Sequence, residues 1–335
     1  MINPQDFHKR AFMLLCALLL FGHLNLLCAQ EDFKGERPSN PVVRRRPRAA
    51  AAARPGARRR PGDEQPVAGR THTRGRPTPS FNVELETEIE LGNAARDAKD
   101  YDLAVGHYVN ALAINRYESR AHYGLGNVYL DREQYADAER AYQKAISIDP
   151  NNSLAYNNLG TSYTRRQRYA EAVPYFKQAI RLKPDYAYSY NNLGYAYNNL
   201  KRYEEAIEQF GQAIRLKPDF DWAYNNLGNS YYFMNRYAEA IEPYKQAIRI
   251  RPNDAQAYNG LGVSYLHLQR YPEAIEQLKQ AIRLKPAYHR PYYNLGLVYV
   301  AMGNRSAAME QFRALQRLDA ESANLLLNYI NSATR

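Results

Sequence analysis

The sequence predicts an all-α fold built as a linear array of helix pairs, and three observations carry that prediction. Leu159, Leu193, Leu227, Leu261 and Leu295 recur every 34 residues, a period that marks a repeat array. Pro150, Pro184, Pro218, Pro252 and Pro286 keep the same beat and close each unit, because proline lacks the amide that would continue a helix. The third observation is a string that returns with them: YNNLG at 156–160, 190–194 and 224–228, and YNGLG at 258–262. Adjacent asparagines are poor helix formers, so their recurrence asks for a reason other than helix stability.

Seven units follow, at 85–118, 119–152, 153–186, 187–220, 221–254, 255–288 and 289–322. Counted from its own first residue, a unit carries an aromatic at position 4 (Tyr156, Tyr190, Tyr224, Tyr258, Tyr292), Leu at 7, Gly at 8, Tyr at 11, Ala at 20, an aromatic or Leu at 24, Ala at 27 and Pro at 32. Positions 4, 7, 8 and 11 share one face at helical period, as do 20, 24 and 27, so each unit reads as two short antiparallel helices. Small residues such as Gly160 and Ala172 sit where the two backbones must approach. Acidic residues open the second helix (Glu204, Glu205, Glu239, Glu273) and basic ones close it (Arg215, Arg249, Arg283), which complements the helix dipole.

These eight positions resemble the signature of the tetratricopeptide repeat family, W-x2-L-G-x2-Y followed by A-x3-F, A and P over 34 residues. The resemblance covers residues 85–322 and implies a right-handed α-solenoid, or superhelix, whose first helices line a concave groove. Tyr stands at position 4 in units three to seven where the family has Trp. Unit one departs further, with Glu88 at position 4, Ala95 at 11 and Arg116 at the proline position. Residues 323–335, ANLLLNYINSATR, place Leu326, Tyr329 and Ile330 on one stripe and Asn324, Asn328 and Asn331 outside it, and read as a capping helix.

The N-terminus has another character. Lys9 and Arg10 precede an apolar stretch from Ala11 to Phe21, and Ala29 offers a cleavage point, so 1–29 reads as a secretory signal peptide and the protein as exported to the periplasm or cell envelope. The alternative is an uncleaved membrane anchor, opposed by His23 and Asn25, which interrupt the apolar run before the ~20 residues a span needs. Both cysteines, Cys16 and Cys28, lie in this segment, so the mature chain would hold no disulfide, thiolate metal site or cysteine nucleophile. Residues 30–80 read as a disordered basic linker rich in Pro, Arg and Ala. Between 31 and 80 it carries thirteen Lys/Arg against five Asp/Glu, or +8 of the chain's net +11. Its expected partner is an anionic envelope polymer or lipid surface through residues 31–80, with a plain solvated linker as the alternative. Nucleic acid is disfavoured, because no aromatics are interleaved among the arginines for stacking.

At about 100° per residue, positions 2, 6, 9 and 13 of the first helix lie opposite its core stripe, and by the family resemblance they face the groove. Asn158, Asn192, Asn226 and Asn294 would form a ladder there, broken at Gly260. Trp222, Tyr188, Tyr195 and Phe233 would form an aromatic patch flanked by Asn229 and Arg165, the composition of a binding hot spot. An asparagine amide both donates and accepts, so the ladder would hold a peptide backbone of any sequence. It resembles the ladder in the superhelical domain of O-linked N-acetylglucosamine transferase, of which only peptide binding carries over. Two alternatives stand: the aromatics pack against neighbouring units, or the asparagines are tolerated relics of duplication.

No Walker motif, nucleophile elbow or metal-ligand spacing is present; Gly124/Gly126 and Gly260/Gly262 lie inside helices and make no phosphate loop. The expectation is a non-enzymatic scaffold without cofactors that holds an extended segment of a partner protein, the resemblance adding envelope or pilus assembly as a setting. The alternative is an envelope-tethering protein whose basic arm binds and whose solenoid is a spacer.

Overall fold

The computed structural model describes residues 79–333; the expected signal peptide and the linker up to residue 78 lie outside them. Fifteen helices follow in order. They are α1 (Pro79–Asp97), α2 (Tyr101–Ile114), α3 (Ser119–Asp131), α4 (Tyr135–Ile148), α5 (Ser153–Arg165), α6 (Tyr169–Leu182), α7 (Ala187–Asn199) and α8 (Tyr203–Leu216). The array continues with α9 (Asp221–Phe233), α10 (Tyr237–Ile250), α11 (Ala255–His267), α12 (Tyr271–Leu284), α13 (His289–Ala301), α14 (Arg305–Leu315) and α15 (Ala320–Ser332). Each of the seven units is one helix pair, and no strand occurs among the described residues.

Every helix packs on its sequence neighbours, and the first helices of adjacent units also meet each other, α3 on α5, α5 on α7 and so on. The second helices do not meet to that degree, so the solenoid curves with its first helices inside. Helix α1 starts at 79, before the first unit boundary read from the period, and α15 closes the other end against α13 and α14. On α15, Leu326 and Ile330 are buried, Tyr329 is half-buried, and Asn324, Asn328 and Asn331 are exposed.

The core is made where position 24 meets position 8. Tyr142, Phe176, Phe210 and Tyr244 are fully buried, and each ring lies against the glycine at position 8 of its own unit. Alanines at 20 and 27, such as Ala172 and Ala179, are buried beside it. The turn between the two helices is set at position 15, which adopts positive φ in all seven units: Lys99, Glu133, Gln167, Lys201, Asn235, Gln269 and Gly303. This left-handed residue lets the next amide bond back, as Arg202 N does to Tyr197 O at 2.9 Å, the closure of a Schellman-type helix end. The Arg at position 16 then lies over the Tyr at 11, 4.5 Å from the ring centre for Arg168 over Tyr163 and Arg202 over Tyr197.

A Cβ added at Gly194 would stand 2.8 Å from the Phe210 ring. Gly194→Ala is therefore expected to lower stability by about 1–3 kcal/mol, despite the better helix propensity of alanine, while alanine at Gly211, which has open space around it, should not. Urea unfolding followed by circular dichroism distinguishes the two.

Candidate peptide-binding face

The first helices carry the asparagines, and the structure gives the paired letters a shared task. The amide of the second asparagine in one unit donates to the carbonyl oxygen of the first asparagine in the unit before. Asn192 Nδ2 donates to Asn157 Oδ1 at 3.1 Å, Asn226 Nδ2 to Asn191 Oδ1 at 3.1 Å and Asn294 Nδ2 to Asn259 Oδ1 at 2.9 Å. Each rung joins residues 35 apart, one more than the repeat period. Where the series begins, Asn158 Nδ2 donates to Asn127 Oδ1 at 2.9 Å and reaches the Tyr123 hydroxyl at 3.3 Å. Its own oxygen accepts from Asn157.

The expected open ladder is thus corrected: Asn158, Asn226 and Asn294 retain 2%, 7% and 4% of their exposure, and Asn192 is half-buried. Their donors tie adjacent repeats together, because a buried amide left unpaired costs more than the bond returns. The break at Gly260 has a counterpart, since Asn225 Oδ1, which a position-6 amide of the next unit would reach, is buried without a partner. A Cβ at Gly260 would stand 2.5 Å from the Tyr244 ring, so the ring holds that place.

Position 9 answers to position 24 of the same unit. Where position 24 is Tyr, its hydroxyl donates to an Asn at 9: Tyr108 to Asn93 at 2.8 Å, Tyr142 to Asn127 at 2.8 Å and Tyr244 to Asn229 at 2.7 Å. Where position 24 is Phe176, Phe210, Leu278 or Phe312, position 9 is Thr161, Tyr195, Val263 or Leu297. Asn229, expected beside the groove as a ligand contact, is half-buried and gives its oxygen to the core hydroxyl of Tyr244. Burial pushes the Tyr244 hydroxyl well above its usual range, which keeps it a donor. The pairing was present in the sequence as the covariation of positions 9 and 24.

The aromatics do not form an exposed patch; they are half-buried, Phe233 and Tyr195 against the preceding unit and Tyr188 and Trp222 against residues at the end of their own. Phe233 stacks on Tyr203 with centroids 5.7 Å apart, and Tyr195 meets Tyr169 edge-on at 6.1 Å. Tyr188 lies 4.9 Å from Phe220, and its hydroxyl accepts from Lys217 Nζ at 3.1 Å. Arg251 sits 5.7 Å above the Trp222 ring. Arg165, half-buried at position 13, has no ion-pair partner among the described residues. The structure thus brings Arg165, Tyr188, Tyr195, Trp222 and Phe233 onto the first-helix side in consecutive repeats. Among the described residues no three His, Cys, Asp or Glu side chains gather as metal ligands would.

Models of the tetratricopeptide repeat family match residues 84–151, 117–185, 175–208, 194–234, 225–289 and 289–322, with no gap from 84 to 322. The chain is a tetratricopeptide repeat protein. No curated protein matches it. Among solved structures, a chain of the APC/C hetero-tetramer Cut9–Hcn1 is similar with a TM-score of 0.59 at 18% identity, over 75% of this chain and 54% of that one. A tetratricopeptide repeat protein of Parabacteroides merdae gives 0.58 at 17% identity, over 74% and 99%. Pseudomonas aeruginosa pilF gives 0.57 at 22% identity, over 63% and 96%. At these identities the likeness is one of fold.

Two predictions follow from this face of the tetratricopeptide array. Asn191→Ala removes the acceptor of the Asn226 amide and should cost about 1–3 kcal/mol, whereas Asn225→Ala removes an oxygen with no partner and should cost far less; paired urea titrations compare them. His267 stacks on Tyr237 with centroids 4.1 Å apart and lies 3.3 Å from the Tyr232 hydroxyl, and burial lowers its pKa from 6.5 to about 4. The unfolded chain therefore takes up this proton first, and stability should fall by up to about 3 kcal/mol as pH drops from 6.5 towards 4. His267→Phe should flatten that part of the pH profile, measured as denaturation midpoints across the interval.

Proposed function

We propose that this protein is a non-enzymatic scaffold that holds an extended segment of a partner protein along its concave, first-helix side. The observation that carries this reading is the set of oxygens the rungs leave over. Asn192, Asn226 and Asn294 spend an amide donor on the preceding unit, and their Oδ1 atoms have no hydrogen-bond partner among the described residues. One acceptor in each of repeats four, five and seven is a pattern that backbone N–H groups of an extended chain can use, since such a chain rises about 3.3 Å per residue and helices pack about 8–10 Å apart. The half-buried Tyr188 and Trp222 supply apolar contact, and Arg165 supplies charge for a carboxylate.

Export to the periplasm or envelope is part of the proposal and rests on the residue pattern of 1–29; no described helix is long and apolar enough to cross a membrane. An exported scaffold of this kind would serve envelope or pilus assembly, with residues 31–80 localising it on an anionic polymer or lipid. The test uses the full chain and a Tyr188→Ala/Trp222→Ala/Arg165→Ala variant of equal helicity to capture and identify a partner. Loss of about 100-fold in affinity in the variant, with little change on raising salt, is the expected result. Retention by the variant with steep loss in salt would place binding on the basic segment and make the array a spacer.

A further inference from the structure

Positions 3, 7 and 10 of a first helix face the second helix of the preceding unit. On α5 these are Ala155, Leu159 and Ser162, with 0%, 1% and 0% exposure, packed against α4. On α1 the same positions are Thr87, Leu91 and Ala94, and all three are exposed, Leu91 at 43%. Val83, one turn earlier on the same face, is 66% exposed. Leu91 is the repeat's own core leucine, left uncovered because no described helix precedes α1. The opposite end is closed by α15, whose exposed residues from Glu321 to Ser332, namely Glu321, Asn324, Asn328, Asn331 and Ser332, are all polar.

The open stripe has acidic edges. At about 100° per residue, Glu84 and Glu88 run along one side of it and Glu90 and Asp97 along the other. Glu88 bonds His107 at 2.9 Å. Glu84, Glu90 and Asp97 have no ion-pair partner among the described residues.

We propose that this end face is a docking surface for a basic amphipathic helix of a partner protein, seated where the second helix of a preceding repeat would lie. Six later repeats show that the face accepts a helix, and the unpaired carboxylates set the sign of the flanking charges. A second copy of the chain is a poor occupant: α1 against α1 would oppose like charges, and the exposed residues Glu321, Asn324, Asn328, Asn331 and Ser332 of the far helix offer no basic group to the acidic edges. The surface is separate from the concave side and does not depend on the reading proposed for it.

The probe is a synthetic peptide with the sequence of α4, residues 135–148, carrying Asp137→Lys and Glu139→Lys; the control carries Arg140→Glu and Lys144→Glu instead. Anisotropy titrations and NMR spectra of methyl and aromatic side chains are recorded on the full chain. Expected are binding of the basic peptide with movement of the Leu91 methyl signals, at least about tenfold weaker binding of the acidic control, and about tenfold loss in Leu91→Lys. Since Leu91 is already exposed, that variant keeps its fold, and Glu84→Lys with Glu90→Lys should invert the preference between the peptides. Equal binding of both peptides, no binding of either, indifference to Leu91→Lys, or movement of Tyr188 and Trp222 signals instead would overturn the proposal. So would a tenfold gain in affinity on changing Arg58, Arg59 and Arg60 to Glu, because the chain's own basic segment would then be the occupant.

Discussion

In the first six units the side chain at position 24 occupies the space in which a Cβ at position 8 would stand; in the seventh, Leu326 of α15 does so. An added Cβ at Gly126, Gly160, Gly194 or Gly228 would come within 3 Å of the facing ring, at 2.5, 2.7, 2.8 and 2.8 Å. That approach sets the distance between the two helices of a unit. Stacking units then buries what one unit cannot. Leu159 is covered because α4 precedes α5, whereas Leu91 is left in solvent because nothing described precedes α1. Ring against glycine is thus the local constraint, and the exposure of one leucine is its consequence at the end of the array.

The ring also decides what the inner side can carry. A tyrosine at 24 brings a hydroxyl into a dry place, and that hydroxyl needs an acceptor. The acceptor is the asparagine at 9, so a unit with Tyr has one fewer position free to meet a ligand. A phenylalanine or leucine releases position 9 to become Thr161, Tyr195, Val263 or Leu297. Groove chemistry therefore varies between units for a reason that lies in the core behind it. The amide rungs act in the other direction, along the array: each joins neighbouring first helices and so fixes the register of whatever side chains stand above them.

How much of this was legible depends on how far apart the interacting residues are. The period, the helix pairs, the small positions and the terminal helix are one-unit patterns, and the sequence displays them seven times over. The purpose of the paired asparagines was hidden because a rung joins position 6 to position 5 of the preceding unit, a relation between faces that appears only when two helices are laid side by side. On a single helix, opposition to the core stripe reads as exposure, but in a curved array the inner faces crowd each other, and Asn158 ends at 2% exposure. The Tyr and Asn pairing could have been read by comparing columns. The left-handed turn at position 15 could not, since Lys, Glu, Gln and Asn hold it in six of seven units and only Gly303 advertises it.

The same geometry separates the stiff parts of the inner side from those open to a partner. Asn157, Asn158 and Asn226 are buried and bonded, so a ligand that competed for their donors would have to break contacts between repeats, and its affinity would be reduced by that cost. The oxygens carry no such burden: the Oδ1 atoms of Asn192, Asn226 and Asn294 have no protein partner among the described residues, and beside them Lys217 lies over the Tyr188 ring and Arg251 over the Trp222 ring. A surface whose amides tie repeats together while their oxygens stay unused would, under the function proposed, suit a chain that brings its own N–H groups. In this protein, the feature that stiffens the solenoid and the feature suited to a backbone are two ends of one side chain.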